Sequence, residues 1–169
     1  MELTWYYLFT PLLILAGLIE SAVLPHARIA GHQPDLMLTL VAAWTLQRGL
    51  KESLLWALIG GIVLDVLSAA PFGIFTAALV GVSVISSIGS ANLFRSQTLL
   101  PLVGALLATP AYYAITLALF YVSGRQIEWS AAFTGVVGPA LIANTACMIV
   151  IYPLVRWIHR RTSPREVVW

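Results

Sequence analysis

Charge is scarce in this sequence: Asp, Glu, Lys and Arg make up 9% of 169 residues, against roughly 25% in a soluble domain. There is one cysteine, Cys147, set inside an apolar run, which excludes a disulfide framework and a cysteine-based metal site. Only Glu2 precedes the first apolar segment, so the basic start of a cleaved signal peptide is missing and that segment is expected to remain as a span. The chain has no nucleophile elbow, no HExxH pair, no phosphate loop and no acid–base pair at enzyme spacing. No catalytic residue, cofactor or resident metal is therefore expected. Four of the nine basic residues, Arg156, Arg160, Arg161 and Arg165, fall in the last 14 positions. Such a cluster marks membrane topology and anionic lipid rather than nucleic acid.

What fills the chain is apolar: 60% hydrophobic residues, with a mean hydropathy of +0.91. That composition defines an integral membrane protein, all-α, with room for about six spans of ~20 residues in one domain. Spans are expected near 3–24, 34–47, 53–70, 72–91, 99–122 and 131–155, followed by a basic tail over 156–169. The second is short, about 21 Å against a ~30 Å hydrocarbon core. It either runs on to Leu50 with Arg48 snorkelling, begins below the surface in a polar recess, or is re-entrant. Spans three and four read as a hairpin around Pro71 with almost no loop, and kinks are expected at Pro110 and Pro139. With both termini in the cytoplasm, Arg48, Lys51, Arg95, Arg156, Arg160, Arg161 and Arg165 lie inside, against Arg28 and Arg125 outside. This orientation sets Trp44 and Trp157 near the inner interface and Trp129 near the outer one. It also makes the protein a multi-pass membrane component.

Three acids fall inside the expected spans, where ionisable groups are costly and functional by default. Glu20 lies ~6 Å and Asp65 ~7.5 Å below the outer membrane surface, and Asp35 opens span two at that surface, facing its first-turn amides. Glu20, Asp35 and Asp65 are thus expected to share the outer third of the bundle with Arg28, His26 and His32. They form either a structural polar cluster or a receptor for a partner or ligand. His26, His32 and a carboxylate are metal ligands by type, but their loop spacing is not diagnostic. Asp65 shares a helical face with Gly61 and Ser68, so a neighbour can approach at Gly61 while the acid reaches it. Gly73, Ala77 and Gly81 form a row of small residues on span four, with Ala78 and Ser86 one position round on the neighbouring row, and Gly104 and Ala108 form a shorter row on span five. Asn144 reads as an interhelical hydrogen bond.

At Pro34-Asp35-Leu36, Arg48-Gly49, Gly60-Gly61, Leu64-Asp65, Ser68, Pro71 and Gly73 the sequence resembles the MreD family of bacterial rod-shape determination. The pattern covers about a quarter of the chain. It departs from the family at Lys51-Glu52-Ser53, where a glycine is common. The resemblance implies a non-enzymatic scaffold of the cell-elongation machinery. Such a subunit associates with MreC and, directly or through it, with the MreB filament and with RodA and its transpeptidase. Residue by residue, the resemblance reaches Pro34, Asp35, Arg48, Gly49, Gly60, Asp65, Ser68, Pro71 and Gly73.

A second reading stays open, since the substrate-binding subunits of energy-coupling-factor vitamin transporters also have about six spans in a similar length and are similar in fold. Against it, span one lacks the small-residue rows for docking a coupling subunit, because Ala16 is followed at i+4 by Glu20. A proton-coupled carrier using Glu20 and Asp65 is a third.

Overall fold

The computed structural model describes residues 3–26, 29, 31–92 and 100–162; Arg28, Arg95 and the tail beyond Thr162 lie outside them. The helices are α1 (Leu3–Ala22), α2 (Leu36–Arg48), α3 (Leu50–Leu67), α4 (Ile74–Asn92), α5 (Leu100–Val122), α6 (Trp129–Ala132) and α7 (Gly138–Thr162). A 3₁₀ turn at Leu24–His26 follows α1, and a π turn at Phe133–Val137 joins α6 to α7. Among the described residues the sole β feature is an isolated bridge between Ile29 and His32. The chain folds as an all-α helical bundle.

The short α2 is its axis. Every residue from Met37 to Thr45 is buried, and α2 packs against α1, α3, α4, α5 and α7. A helix enclosed on all sides need not span a bilayer by itself, which accounts for its length of 13 residues. Its polar side chains are satisfied locally, Thr45 Oγ1 donating to the Val41 carbonyl at 2.8 Å. Gly49 alone separates α2 from α3; its φ of 78° is one that glycine adopts without Cβ strain.

The other helices turn small and polar residues inward. On α3, Ser53, Trp56, Ala57, Gly60, Gly61, Leu64 and Asp65 are buried, the i, i+3, i+4, i+7 spacing of one helical face. Leu55, Leu58, Ile62 and Val66 on the opposite face are exposed. Helix α7 repeats the arrangement, with Ala140, Ala143 and Asn144 inside and Ile142, Ile149 and Val150 outside. A surface so continuously apolar is unfavourable in water and matches a lipid environment, where close packing of small residues drives association. Helices Pro101–Val122 and Trp129–Arg161 are long and apolar enough to cross a membrane, and Thr10–His26 and Ile74–Ile88 are shorter apolar helices.

Close approach is concentrated at five glycines, Gly17 against Val63, Gly104 against Leu46, and Gly60, Gly61 and Gly81. A Cβ at Gly61 would collide with the backbone of Thr76, one at Gly60 with the Met37 side chain, and one at Gly81 with Ile115. The expected row of Gly73, Ala77 and Gly81 is corrected. Helix α4 begins at Ile74, leaving Gly73 in the preceding turn with φ 98°, and Ala77 is exposed. The buried row is Ile74, Ala78, Val82 and Ser86, the neighbouring row that holds Ala78 and Ser86, while Gly81 lies close to Ile115.

Three further expectations change. The connection of α3 to α4 is a six-residue loop, 68–73, because Ser68 leaves the helix in an extended conformation and Pro71 disfavours helical geometry at Ala70. At Gly138-Pro139 the missing proline N–H leaves the Gly135 carbonyl without its i+4 donor, and the helix widens into the π turn there. Trp44 is not an interfacial residue: it is 1% exposed and stacks on Trp56 at 4.0 Å between ring centroids. Trp129 and Trp157 are exposed. The basic tail is helical as far as Thr162.

Candidate functional site

Helix α2 begins inside the protein, so its first amides cannot turn to water. The expected self-cap is not formed, since Asp35 makes no side-chain hydrogen bond to its own helix. Glu20 on α1 supplies the cap instead, Oε2 accepting the Met37 N–H at 2.6 Å. A carboxylate is well placed there, near the positive end of the helix dipole.

Asp35 is thereby directed toward α5 and α7. Its backbone N–H donates to Asn144 Oδ1 at 2.7 Å, and Asn144 Nδ2 donates back to Asp35 Oδ2 at 2.8 Å. The Tyr113 hydroxyl donates to the same Oδ2 at 2.7 Å. With the phenolic proton on Asp35, the 2.8 Å contact between Tyr113 and His32 Nε2 requires the imidazole proton on Nε2. Asn144 Nδ2 also lies 3.4 Å from Thr109 Oγ1. Four segments, the loop before α2 and helices α2, α5 and α7, are thus fastened at Asp35.

Asp65 does the same for a different helix. Its Oδ1 accepts the Phe75 N–H at 2.9 Å, and its Oδ2 accepts the Thr76 N–H at 3.2 Å and the Thr76 hydroxyl at 2.6 Å. The backbone of Thr76 can come this near because Gly61, one turn back on α3, has no side chain. Ser68 closes the loop beyond, accepting the Ala70 N–H at 3.3 Å.

Beside the start of α2 lies a cavity of about 350 Å³. Glu20, Ser21, His32, Gln33, Asp35 and Tyr113 are among the polar residues lining it, and Leu64, Phe75, Leu117, Phe120 and Val136 among the apolar ones. Ser68, Tyr112 and Thr116 complete much of the remaining wall. Polar groups on an apolar frame are the usual constitution of a binding site.

The structure therefore brings Glu20, Asp35 and His32 together, with Ser68 on the same cavity, and directs Asp65 to the α4 terminus, outside the residues that line it. Arg28 lies outside the described residues. His26 is exposed at the end of the 3₁₀ turn. Among the described residues no group of three His, Cys, Asp or Glu side chains is placed to hold a metal ion. Arg48 is engaged away from this cavity, 3.2 Å from Glu52 and over the Trp44 ring at 5.5 Å. Tyr112, Tyr113 and Thr116 escaped the reading of the sequence. The signal that finds them is the helical spacing of Thr109, Tyr112, Tyr113 and Thr116 within an otherwise apolar segment.

Fold and site define an all-α membrane bundle with helix-capping acids inside and a polar cavity at one end. The sequence model of the family described as "rod shape-determining protein MreD" matches residues 1–162. The chain belongs to the MreD family, a membrane protein family of rod-shape determination. No curated protein and no solved structure matches it.

Proposed function

We propose that this protein is a multi-pass scaffold subunit of the cell-elongation machinery that binds MreC, and that the cavity at the start of α2 receives a segment of MreC. Through MreC, or directly, it links the MreB filament to the peptidoglycan synthase RodA and its transpeptidase. The observation that carries the reading is a cavity of about 350 Å³ with a few polar groups on a largely apolar wall, in a bundle whose outer faces are large and apolar. The acids lining it also hold the helices in register, so occupancy of the cavity and the packing of α1, α2, α5 and α7 are physically linked. The distribution of Lys and Arg favours both termini in the cytoplasm, which opens the cavity to the outer side. Purification in mild detergent tests the proposal: MreC is expected to co-purify, and its complete absence at normal expression would sink the reading.

The size of the cavity also favours a second reading, a substrate-binding subunit of the energy-coupling-factor type, since small-molecule sites occupy roughly 300–1,000 Å³. Mass spectrometry of molecules retained on the purified protein separates the two. A stoichiometric small molecule supports the transporter class, and retention of MreC alone supports the scaffold.

A further inference from the structure

The cavity next to α2 gathers two carboxyl groups with no Lys or Arg side chain beside them among the described residues. Two carboxylates line it, Glu20 and Asp35, both buried at 8% exposure. Each uses one oxygen on the protein: Oε2 of Glu20 on the Met37 amide, Oδ2 of Asp35 on Tyr113 and Asn144. The second oxygens, Glu20 Oε1 and Asp35 Oδ1, have no hydrogen-bond partner among the described residues. Among the described residues neither acid has an ion-pair partner and no Lys or Arg lines the cavity. The other titratable groups on its wall are His32, whose Nε2 is engaged with Tyr113, and the phenols of Tyr112 and Tyr113.

A second observation is independent of the acids. Thr116 on α5 lines the same cavity, is 6% exposed, and its buried Oγ1 has no hydrogen-bond partner. A hydroxyl removed from water and left unbonded costs free energy; a donor entering the cavity would relieve that cost. Above the polar groups, Phe75, Leu117 and Phe120 form an apolar wall suited to a methylene stem or an aliphatic segment.

We propose that the cavity is a socket for a basic side chain, a lysine or arginine carried on an apolar segment of the membrane partner. This deepens, and rests on, the reading that the partner occupies the cavity. A cation with several N–H donors suits the two open carboxyl oxygens, and the threonine hydroxyl can join them by turning into the cavity. An anionic or purely apolar occupant would leave two buried carboxylates unopposed. The complex gains specificity by the same means, because partner segments lacking the base are rejected.

The test uses the full chain co-expressed with MreC, with a leucine-sized diazirine amino acid at Leu117 and mass spectrometry of the cross-linked peptides. The expected product joins position 117 to an MreC segment containing a Lys or Arg, and neutralising that residue lowers MreC retention about tenfold or more. Glu20→Gln, which keeps a carbonyl acceptor for the Met37 amide, and Asp35→Asn, which keeps one for Tyr113 and Asn144, are expected to lower retention comparably without loss of folded protein. Thr116→Val, which keeps the shape of the wall, is expected to lower it less. A cross-linked MreC segment without a base, or one whose neutralisation changes nothing, overturns the basic occupant while leaving the partner in the cavity. A cross-link within the chain to residues 27–30 assigns the base to Arg28 and overturns the proposal. Retention of MreC with no cross-link from position 117 overturns both the socket and the placement of the partner.

Discussion

Glu20 of α1 accepts the N–H of Met37 on α2 at 2.6 Å, so the central helix of this protein is capped by a neighbour and not by its own N-terminal residue. The consequence is that Glu20, like Asp65 at the start of α4, is first of all a helix cap. A buried amide left without an acceptor costs about 1–3 kcal/mol, and a lipid-surrounded bundle has no water with which to satisfy it. Glu20→Leu is therefore expected to destabilise the protein by about 1–3 kcal/mol, with Glu20→Gln close to wild type. Thermal unfolding in mild detergent reads the difference, and equal midpoints for the two variants would remove the capping role.

Asp65→Leu deletes three hydrogen bonds to the start of α4 and is expected to cost about 3 kcal/mol or more, while membrane insertion persists because the apolar surface is unchanged. Asp65→Asn retains one carbonyl acceptor and is expected to cost less. The pairing with Thr76 is checked by a double-mutant cycle with Thr76→Val, in which independent effects would contradict direct coupling.

The close contact of α3 with α4 depends on the absence of one side chain. Gly61→Ala drives a Cβ into the Thr76 backbone, and overpacking of this kind costs about 1–3 kcal/mol. Gly135→Ala meets nothing within 4 Å and is expected to stay within about 0.5 kcal/mol of wild type. Similar losses at the two positions would show that packing at Gly61 is not the cause.

Tyr113→Phe removes one hydroxyl that serves two partners, Asp35 and His32. A loss of about 1–3 kcal/mol is expected. Hydrogen exchange at the start of α2 should rise with it, while exchange at the start of α4, held by Asp65, should not. Uniform acceleration across the bundle would argue that Tyr113 acts on global stability alone.

The parts of this architecture that follow from periodicity were legible in the sequence, and those that depend on azimuth were not. An apolar composition with short polar breaks implies an all-α bundle. The face shared by Gly61 and Asp65 follows from helical spacing alone, whereas Ser68, expected on it, lies beyond the end of α3. Depth along a helix axis placed Glu20 and Asp35 at one end, and the cavity holds both. The same count grouped Asp65 with them, because depth carries no information on which neighbour a side chain faces; Asp65 turns to α4 instead. Trp44 was assigned to an interface for its position near a helix end, but α2 is enclosed and its indole stacks on Trp56. Asn144 was legible as an interhelical hydrogen bond, which it makes to Asp35 and Thr109, whereas nothing in composition marks Tyr113. Their importance comes from Asp35, which they meet from α5 and α7 across more than 75 residues of sequence.

The central claim is that the cavity at the start of α2 holds MreC, and the most direct measurement is MreC retention by a variant in which that cavity is filled. Leu117 lines it and is half-buried, so Leu117→Trp reduces the volume without touching Glu20, Asp35, Tyr113 or Asn144. The account predicts that this variant inserts and unfolds near the wild-type temperature, loses most MreC on purification and fails to support rod shape. Full MreC retention and normal rods with the cavity filled would contradict it.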